Sequence, residues 1–234
     1  MKFNNEEKTK LVNKVFSEVY QRYDLMNDIM SFGIHRIWKH DMIYWMRPQK
    51  NDKIIDVASG TGDLAKICSQ RNNNQNQINC VEPNQEMFEL GKKKLKNFKN
   101  ISWHKASAEK LPFSNNIFDY YIISFGIRNV TNIDKTFKEA FRVLKSGGRL
   151  FCLEFSKVEN EIVQKFYYQY FKIIPKIGKI VVGNDQPYKY LTKSIEKFYN
   201  QQELKEFIEK SGFSNVEFRN LSNGIAAIHT GWKL

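Results

Sequence analysis

Apolar side chains at Leu11, Val15, Phe16 and Val19 recur at helical spacing through residues 6–23. Residues 23–46 follow, rich in Met and aromatics and holding Gly33 and His35, before Pro48 punctuates the chain. From there the period changes. Ile54, Ile55 and Val57 form a β-branched run that reads as a buried strand over 53–58. A helix is predicted at 64–70, a strand at 78–82, a helix at 86–95 and a strand at 101–105. A connection through Leu111-Pro112-Phe113 leads to a strand at 119–124. A helix at 133–144 then runs through Lys145-Ser146-Gly147-Gly148 into a strand at 149–155.

Strands alternating with helices in this way imply a parallel sheet covered on both faces. The end of the chain departs from that rhythm. A helix at 201–211 precedes two strand-like runs, 216–221 and 225–230, separated by Ser222-Asn223-Gly224. This pattern predicts a hairpin, with one terminal strand antiparallel to the rest. Residues 157–199 form a long, aromatic-rich insertion, and the Asn/Gln run at 72–77 reads as a surface loop.

The most informative local signal is Asp56-Val57-Ala58-Ser59-Gly60-Thr61-Gly62-Asp63, a small-residue turn between a strand and a helix. Gly60 and Gly62 allow a sharp turn and a close approach of backbone to ligand, and Asp63 is expected to cap the helix that follows. Glu82 lies about 20 positions beyond Gly62, where a carboxylate is expected to take the hydroxyls of a ribose. Alone, that pattern admits NAD and S-adenosylmethionine equally. Three features favour the methyl donor. The turn is compact, with Asp56 placed to help position a cationic group. Asp63 at the helix start would repel a diphosphate, which a dinucleotide site binds there. The Gly147-Gly148 turn also stands where methyltransferases usually carry one.

Composition narrows the class further. The 234 residues are 41% hydrophobic and 26% charged, ordinary for a globular protein. No apolar run approaches the length of a membrane span, and residues 1–7 lack the apolar core of a signal peptide. Cys68, Cys80 and Cys152 are scattered without metal-ligand spacing, so no metal is expected and a reducing cytosol fits. The net charge of +12 reads first as a solvated lysine surface, and otherwise as attraction to anionic lipid or nucleic acid.

With these pieces in order, the chain resembles the ubiquinone/menaquinone biosynthesis C-methyltransferases (UbiE-type) over nearly its whole length. Tyr23-Asp24-Leu25-Met26-Asn27-Asp28 and the run from Met30 to Lys39 look like that family's N-terminal signature. The run from Ser124 to Thr131 looks like its central one. Arg142 to Leu150, Leu153 to Lys157, Pro175-Lys176-Ile177-Gly178, Tyr188-Lys189-Tyr190-Leu191 and the segment after Gly224 continue the likeness. The resemblance implies an α/β, Rossmann-like class I methyltransferase fold, with a seven-stranded, mostly parallel sheet and an antiparallel C-terminal strand. It also implies an N-terminal helical lid or substrate segment at 1–50, and a methyltransferase domain at 51–234 with a substrate-binding insertion at about 157–199.

S-adenosylmethionine is the implied cofactor, held by Gly60 and Thr61 in the turn, Glu82, Ser107, Ala108 and Ser124. Many relatives carry Asp at the position of Glu82 and Asn at that of Ser107, so any adenine contact at Ser107 would fall to its backbone. The implied acceptor is a polyprenylated quinol: 2-polyprenyl-6-methoxy-1,4-benzoquinol, demethylmenaquinol or both. Expected partners are this quinol, a membrane surface, and a homodimer or quinone-synthesis complex, with no nucleic acid. The expected location is cytoplasmic, peripheral on the inner face of the membrane.

A ring carbon is a poor nucleophile unless a hydroxyl ortho or para to it is ionised, so a fixed cation beside that oxygen would help. Arg128 is the candidate catalytic residue, its alternative being an arginine that pairs with an acid to hold its loop. His35 is a second candidate base, alternatively structural. Tyr188 and Tyr190 are candidates for bonding a quinol oxygen, or for packing a loop. Three rivals remain open: a nucleic-acid methyltransferase, a nicotinamide-dependent oxidoreductase, and a non-catalytic scaffold of a quinone-synthesis complex.

Overall fold

Strand residues of alternating direction build two cores in the computed structural model, which describes residues 5–234. The first four residues of the expected N-terminal segment lie outside the described residues. In chain order the elements are α1 (Asn5–Val19), α2 (Tyr23–Ser31), α3 (His35–Met46), β1 (Lys53–Val57), α4 (Asp63–Arg71), β2 (Gln77–Val81), α5 (Gln85–Lys94) and β3 (Ile101–His104). They continue with β4 (Phe118–Ser124), α6 (Ile133–Val143), β5 (Leu144–Phe155), α7 (Glu161–Val182), α8 (Gln186–Glu196), α9 (Gln201–Lys210), β6 (Ser214–Leu221) and β7 (Ala226–Trp232).

The seven strands form one sheet in the order β3-β2-β1-β4-β5-β7-β6. Strands β1 to β5 pair in parallel, and β7 runs antiparallel to both β5 and β6. The predicted hairpin is therefore present, and β7 is the reversed strand. Because successive side chains point to opposite faces, Ile54, Ile78, Ile122 and Phe151 meet Trp38, Met42 and Met46 of α3 on one face. On the other face Ile55, Tyr121, Ile123 and Leu150 meet Phe137 of α6 and Ile208 of α9.

Two local readings change. The Gly147-Gly148 run is no turn before a strand, because β5 already begins at Leu144. Its register against β4 jumps from Phe118↔Leu144 to Tyr120↔Arg149, so the glycines form a bulge within the strand. Gly147, at φ +78°, donates its N–H to the Lys233 carbonyl at 2.6 Å. The insertion at 157–199 folds as two helices, α7 and α8, which pack on each other and put Tyr167, Phe171, Tyr188 and Leu191 into the α3-side core.

Strand order reverses between β1 and β4, with β2 and β3 on one side and β5 on the other. In such sheets a crevice opens at the carboxyl ends of the strands at that point.

Candidate active site

The glycine turn lies in this crevice with a backbone that few residues tolerate. Ala58, Gly60 and Gly62 have φ of +51°, +56° and +84°, three left-handed residues in five. The turn is stitched to the end of β2, since Ser59 donates to the Val81 carbonyl at 3.2 Å and Gly60 donates to Glu82 Oε2 at 2.8 Å. Glu82 Oε1 accepts from the Asn84 N–H at 2.9 Å. A carboxylate accepts more than one bond per oxygen, so Glu82 both holds the turn and keeps acceptor capacity on the cleft wall. Burial pushes its pKa up to about 7, against the two backbone bonds.

Asp63 does not cap the helix. Gly62 takes the cap position of α4 with no side chain to offer, and Asp63 is the first helical residue. Its carboxylate instead meets Lys39 Nζ at 3.3 Å. Burial works to raise its pKa, but Lys39 and Lys94 outweigh it and hold the group below its usual value.

Two adjoining hollows receive the expected donor residues. A cleft of about 780 Å³ is lined by Gly60, Glu82, Ser107 and Ala108, with Phe16 and Asn13 of α1 as its roof. A smaller pocket of about 330 Å³ is lined by Thr61 and Ser124 together with Lys39, Asp56 and Asp63. Tyr23, Ala58 and Phe125 line both and form the boundary between them. Within the smaller pocket, Asp56 Oδ2 and Ser124 Oγ are buried without a hydrogen-bond partner. Such groups are costly unless something satisfies them. A zwitterionic amino-acid end fits there: Lys39 offers a cation to its carboxylate, and Asp56 and Ser124 offer oxygens to its ammonium. Burial, opposed by Lys39, raises the Asp56 pKa to about 8.

Arg128 lies elsewhere. It lines a wider cleft of about 2120 Å³ between α1, α8 and the loop after β4, which shares only Val130 and Thr131 with the 780 Å³ cleft. Arg128 is paired with an acid, as the second of its two sequence readings had it. Arg128 Nη1 donates to Glu154 Oε1 at 2.6 Å and to the Phe125 carbonyl at 2.8 Å. The two side chains are 4% and 1% exposed. The reason is topological: β5 runs beside β4 and delivers Glu154 under the loop that carries Arg128. One buried donor, Arg128 Nε, has no partner. Burial raises the Glu154 pKa and Arg128 opposes the rise.

The other two candidates separate. His35 faces none of these three hollows. Its Nδ1 lies 2.9 Å from Ser31 Oγ and 3.7 Å from Asp28, and burial and Lys39 depress its pKa to about 4, so it is neutral. Tyr188 is fully buried on α8, whereas Tyr190 lines the wide cleft and donates to Asn129 Oδ1 at 3.1 Å.

Lys39, Glu154, Tyr23 and Asn129 received no individual role from the sequence. Lys39 carried a signal: His35, Trp38, Lys39, Met42, Ile43 and Met46 form the buried face of α3, so this lysine occupies an apolar phase. Glu154 likewise interrupts the buried run of β5. Tyr23, its pKa pushed up to about 12 by burial, stays a neutral donor with its ring 3.5 Å from where a Cβ on Gly60 would stand.

The comparisons with known proteins agree with this geometry. The ubiE/COQ5 methyltransferase family profile matches residues 1–233. The ubiquinone/menaquinone biosynthesis C-methyltransferase UbiE of Rickettsia bellii is 50% identical over 241 aligned positions, spanning 100% of this chain and 96% of that protein. Its namesake from Brucella abortus is 46% identical, over 99% and 88%. Among solved structures, a possible histamine N-methyltransferase from Thermotoga maritima superposes with a TM-score of 0.67 at 19% identity, covering 95% of this chain and 100% of that one. Haemonchus contortus phosphoethanolamine N-methyltransferase 2, in complex with S-adenosyl-L-methionine, gives 0.61 at 15% identity, over 84% and 52%. Sequence and fold together place the chain in the ubiE/COQ5 methyltransferase family.

Proposed function

We propose that this methyltransferase transfers a methyl group from S-adenosylmethionine to a ring carbon of a polyprenylated benzoquinol or naphthoquinol, in ubiquinone or menaquinone biosynthesis. The observation that carries the reading is the pair of adjoining hollows, the smaller with its buried, unpartnered Asp56 Oδ2 and Ser124 Oγ suited to an amino-acid end, and the wide cleft that Arg128 lines. The donor supplies an already activated methyl group on a sulfonium, so the protein has to align and ionise the acceptor.

Glu82 and the backbone around Ser107 and Ala108 serve the nucleoside end, with Thr61, Ser124, Asp56 and Lys39 at the other. Tyr23 and Phe125 border both hollows and exclude water from the boundary between them. Leu11, Val15, Ile133 and Phe198 give the wide cleft apolar walls for an isoprenoid tail. Arg128 faces the quinol oxygen. An arginine stays protonated, so it donates to a forming phenolate and does not take the proton itself. Glu154 keeps the guanidinium in one orientation and acts as a positioning residue. Tyr190, held by its bond to Asn129, offers a second polar contact on the same wall.

The test is methyl transfer by the purified protein, with a labelled donor and a short-tailed quinol supplied reduced or oxidised. Label should enter only the reduced ring, because only it can form a phenolate, and Arg128→Met should lower kcat at least tenfold. Equal labelling of both forms, or labelling of RNA or DNA instead, overturns the reading.

A further inference from the structure

Helix α7 is apolar on two opposite faces. Tyr167, Phe171, Ile174 and Gly178 are buried and turn it toward the core. Ile162, Phe166, Ile173 and Ile180 are 66, 74, 50 and 85% exposed. At 3.6 residues per turn those four fall within about 40° of arc, on the side away from the core. They form one stripe nearly the length of the helix, at positions where a surface helix ordinarily presents polar groups. Phe32, itself 66% exposed, stacks on Tyr170 of α7 with ring centroids 4.0 Å apart and extends the apolar surface onto α2.

The charges on α7 decide what such a stripe suits. The helix carries Lys165, Lys172, Lys176 and Lys179, all exposed, against a single acid, Glu161, in its first turn. The four lysines project on one flank of the stripe, within about 100° of it. A second copy seated antiparallel on this face about a two-fold axis would set the same lysines against each other. A surface with an apolar interior and an anionic skin satisfies both features: the Ile and Phe side chains enter it and the lysines stay at its charged boundary. Among the described residues no helix is long and apolar enough to cross a membrane, so the contact would be peripheral.

We propose that the solvent face of α7, from Ile162 to Ile180 with Phe32 at its edge, docks the protein onto an anionic lipid bilayer. The wide cleft that Arg128 lines is also lined by Asn184 and Gln186, just beyond α7. Docking on α7 therefore brings the mouth of that cleft near the lipid. This last point rests on the quinol reading of the site; the docking surface itself rests on the stripe and its lysines.

The experiment is sedimentation of the full-length protein with vesicles of phosphatidylglycerol and phosphatidylethanolamine, or of phosphatidylcholine alone, at low and high salt. Neither donor nor quinol is present, so failure here overturns the docking surface and leaves the methyl-transfer reading untouched. The wild type should bind the anionic vesicles and bind phosphatidylcholine at least tenfold more weakly. Phe166→Ser/Ile173→Ser should weaken binding at least tenfold at both salt concentrations. Ile162→Ser/Ile180→Ser repeats the test at the ends of the stripe. Lys172→Gln/Lys176→Gln should weaken it by about fivefold per lysine at low salt, with the difference shrinking at high salt. Unchanged melting temperature and S-adenosylmethionine affinity confirm that each variant is folded. Undiminished vesicle binding by both apolar variants overturns the proposal. So does a wild type that light scattering shows to be a dimer and that Phe166→Ser/Ile173→Ser converts to monomers without any vesicle binding.

Discussion

Arg128 Nη1 and Glu154 Oε1 meet at 2.6 Å, sealed from solvent between the loop after β4 and the end of β5. Removing one partner of such a pair leaves an uncompensated charge that water cannot reach. Glu154→Ala should therefore destabilise the protein by about 3–5 kcal/mol in urea unfolding. Glu154→Gln keeps an acceptor for the guanidinium and should lose clearly less. If Glu154 also positions Arg128 for the acceptor, Glu154→Gln lowers kcat while the KM for the donor stays within twofold of wild type. A Gln variant with wild-type kcat would make the pair purely structural.

Lys39 reaches the donor side from a different part of the chain. Its Nζ is tied to Asp63 at 3.3 Å in the pocket that also holds Asp56 and Ser124. Lys39→Met keeps the length and apolar contacts of the stem and removes the cation. Calorimetry should show donor binding weakened by about tenfold, in line with loss of one charge-assisted hydrogen bond, and the acceptor KM should not move. Unchanged donor affinity would exclude Lys39 from that pocket's chemistry.

How much of this was legible in the sequence depends on the range of the physics. The β1 run, the glycine turn and the terminal hairpin are set by neighbours a few residues apart, and they appear where the pattern predicts them. The Gly147-Gly148 bulge was misread as a turn because it is fixed by Phe118 on β4 and by Lys233 at the chain's end, not by local propensity. Asp63 was misread as a cap for a similar reason: its partner, Lys39, is on α3. Glu82 was singled out by its spacing beyond Gly62, and Ser107 and Ser124 only by the family resemblance; the fold sets Glu82 and Ser107 on one hollow and Ser124 on the other, at strand ends where open α/β sheets gather ligands. Pairing with an acid was one of the two readings of Arg128, but the acid itself was not named, since nothing near Arg128 in sequence predicts Glu154.

Asp56 gives the apo protein a pH signature. Its carboxyl is 1% exposed and titrates at about 8, against 3.8 for an unburied group. Between those values the unfolded chain ionises while the folded one keeps its proton. Wild-type stability from this group is therefore full below pH 4 and falls as pH rises to about 8. Asp56→Asn has nothing to titrate there. Its stability advantage over wild type should be absent near pH 4, grow through neutrality and level off above pH 8 at roughly 6 kcal/mol. Glu82, also raised, is common to both proteins and cancels in the difference. The same substitution should weaken S-adenosylmethionine binding, because an amide cannot give up a proton to become an anion when the ammonium arrives beside it. Denaturant unfolding of the apo proteins across pH 4–9 reads the first effect and calorimetry the second. A stability difference that does not change with pH would show that Asp56 is already ionised in the fold.

The ends of β1 and β4 approach closely in the crevice, where a Cβ on Gly126 would stand 2.7 Å from the Ala58 Cβ. Real Cβ atoms do not approach so closely, and here neither side can yield easily. Ala58 and Phe125 already hold left-handed backbone, at φ +51° and +55°, on the boundary of both donor hollows. Gly126→Ala must therefore push the two strand ends apart, at a cost of about 1–3 kcal/mol, and should weaken donor binding at least tenfold. The severe contact is between two methyl groups, with Ile123 Cγ1 a milder one at 3.3 Å, so removing the Ala58 methyl should undo most of the clash. Ala58→Gly deletes that Cβ and also relieves the strain of a non-glycine residue at positive φ. In the double variant, at least half of the lost stability and donor affinity should return, a coupling between contacting sites that a double-mutant cycle measures directly. Simple addition of the two single effects would mean that Gly126 matters for its own backbone freedom and not for the space it leaves to Ala58.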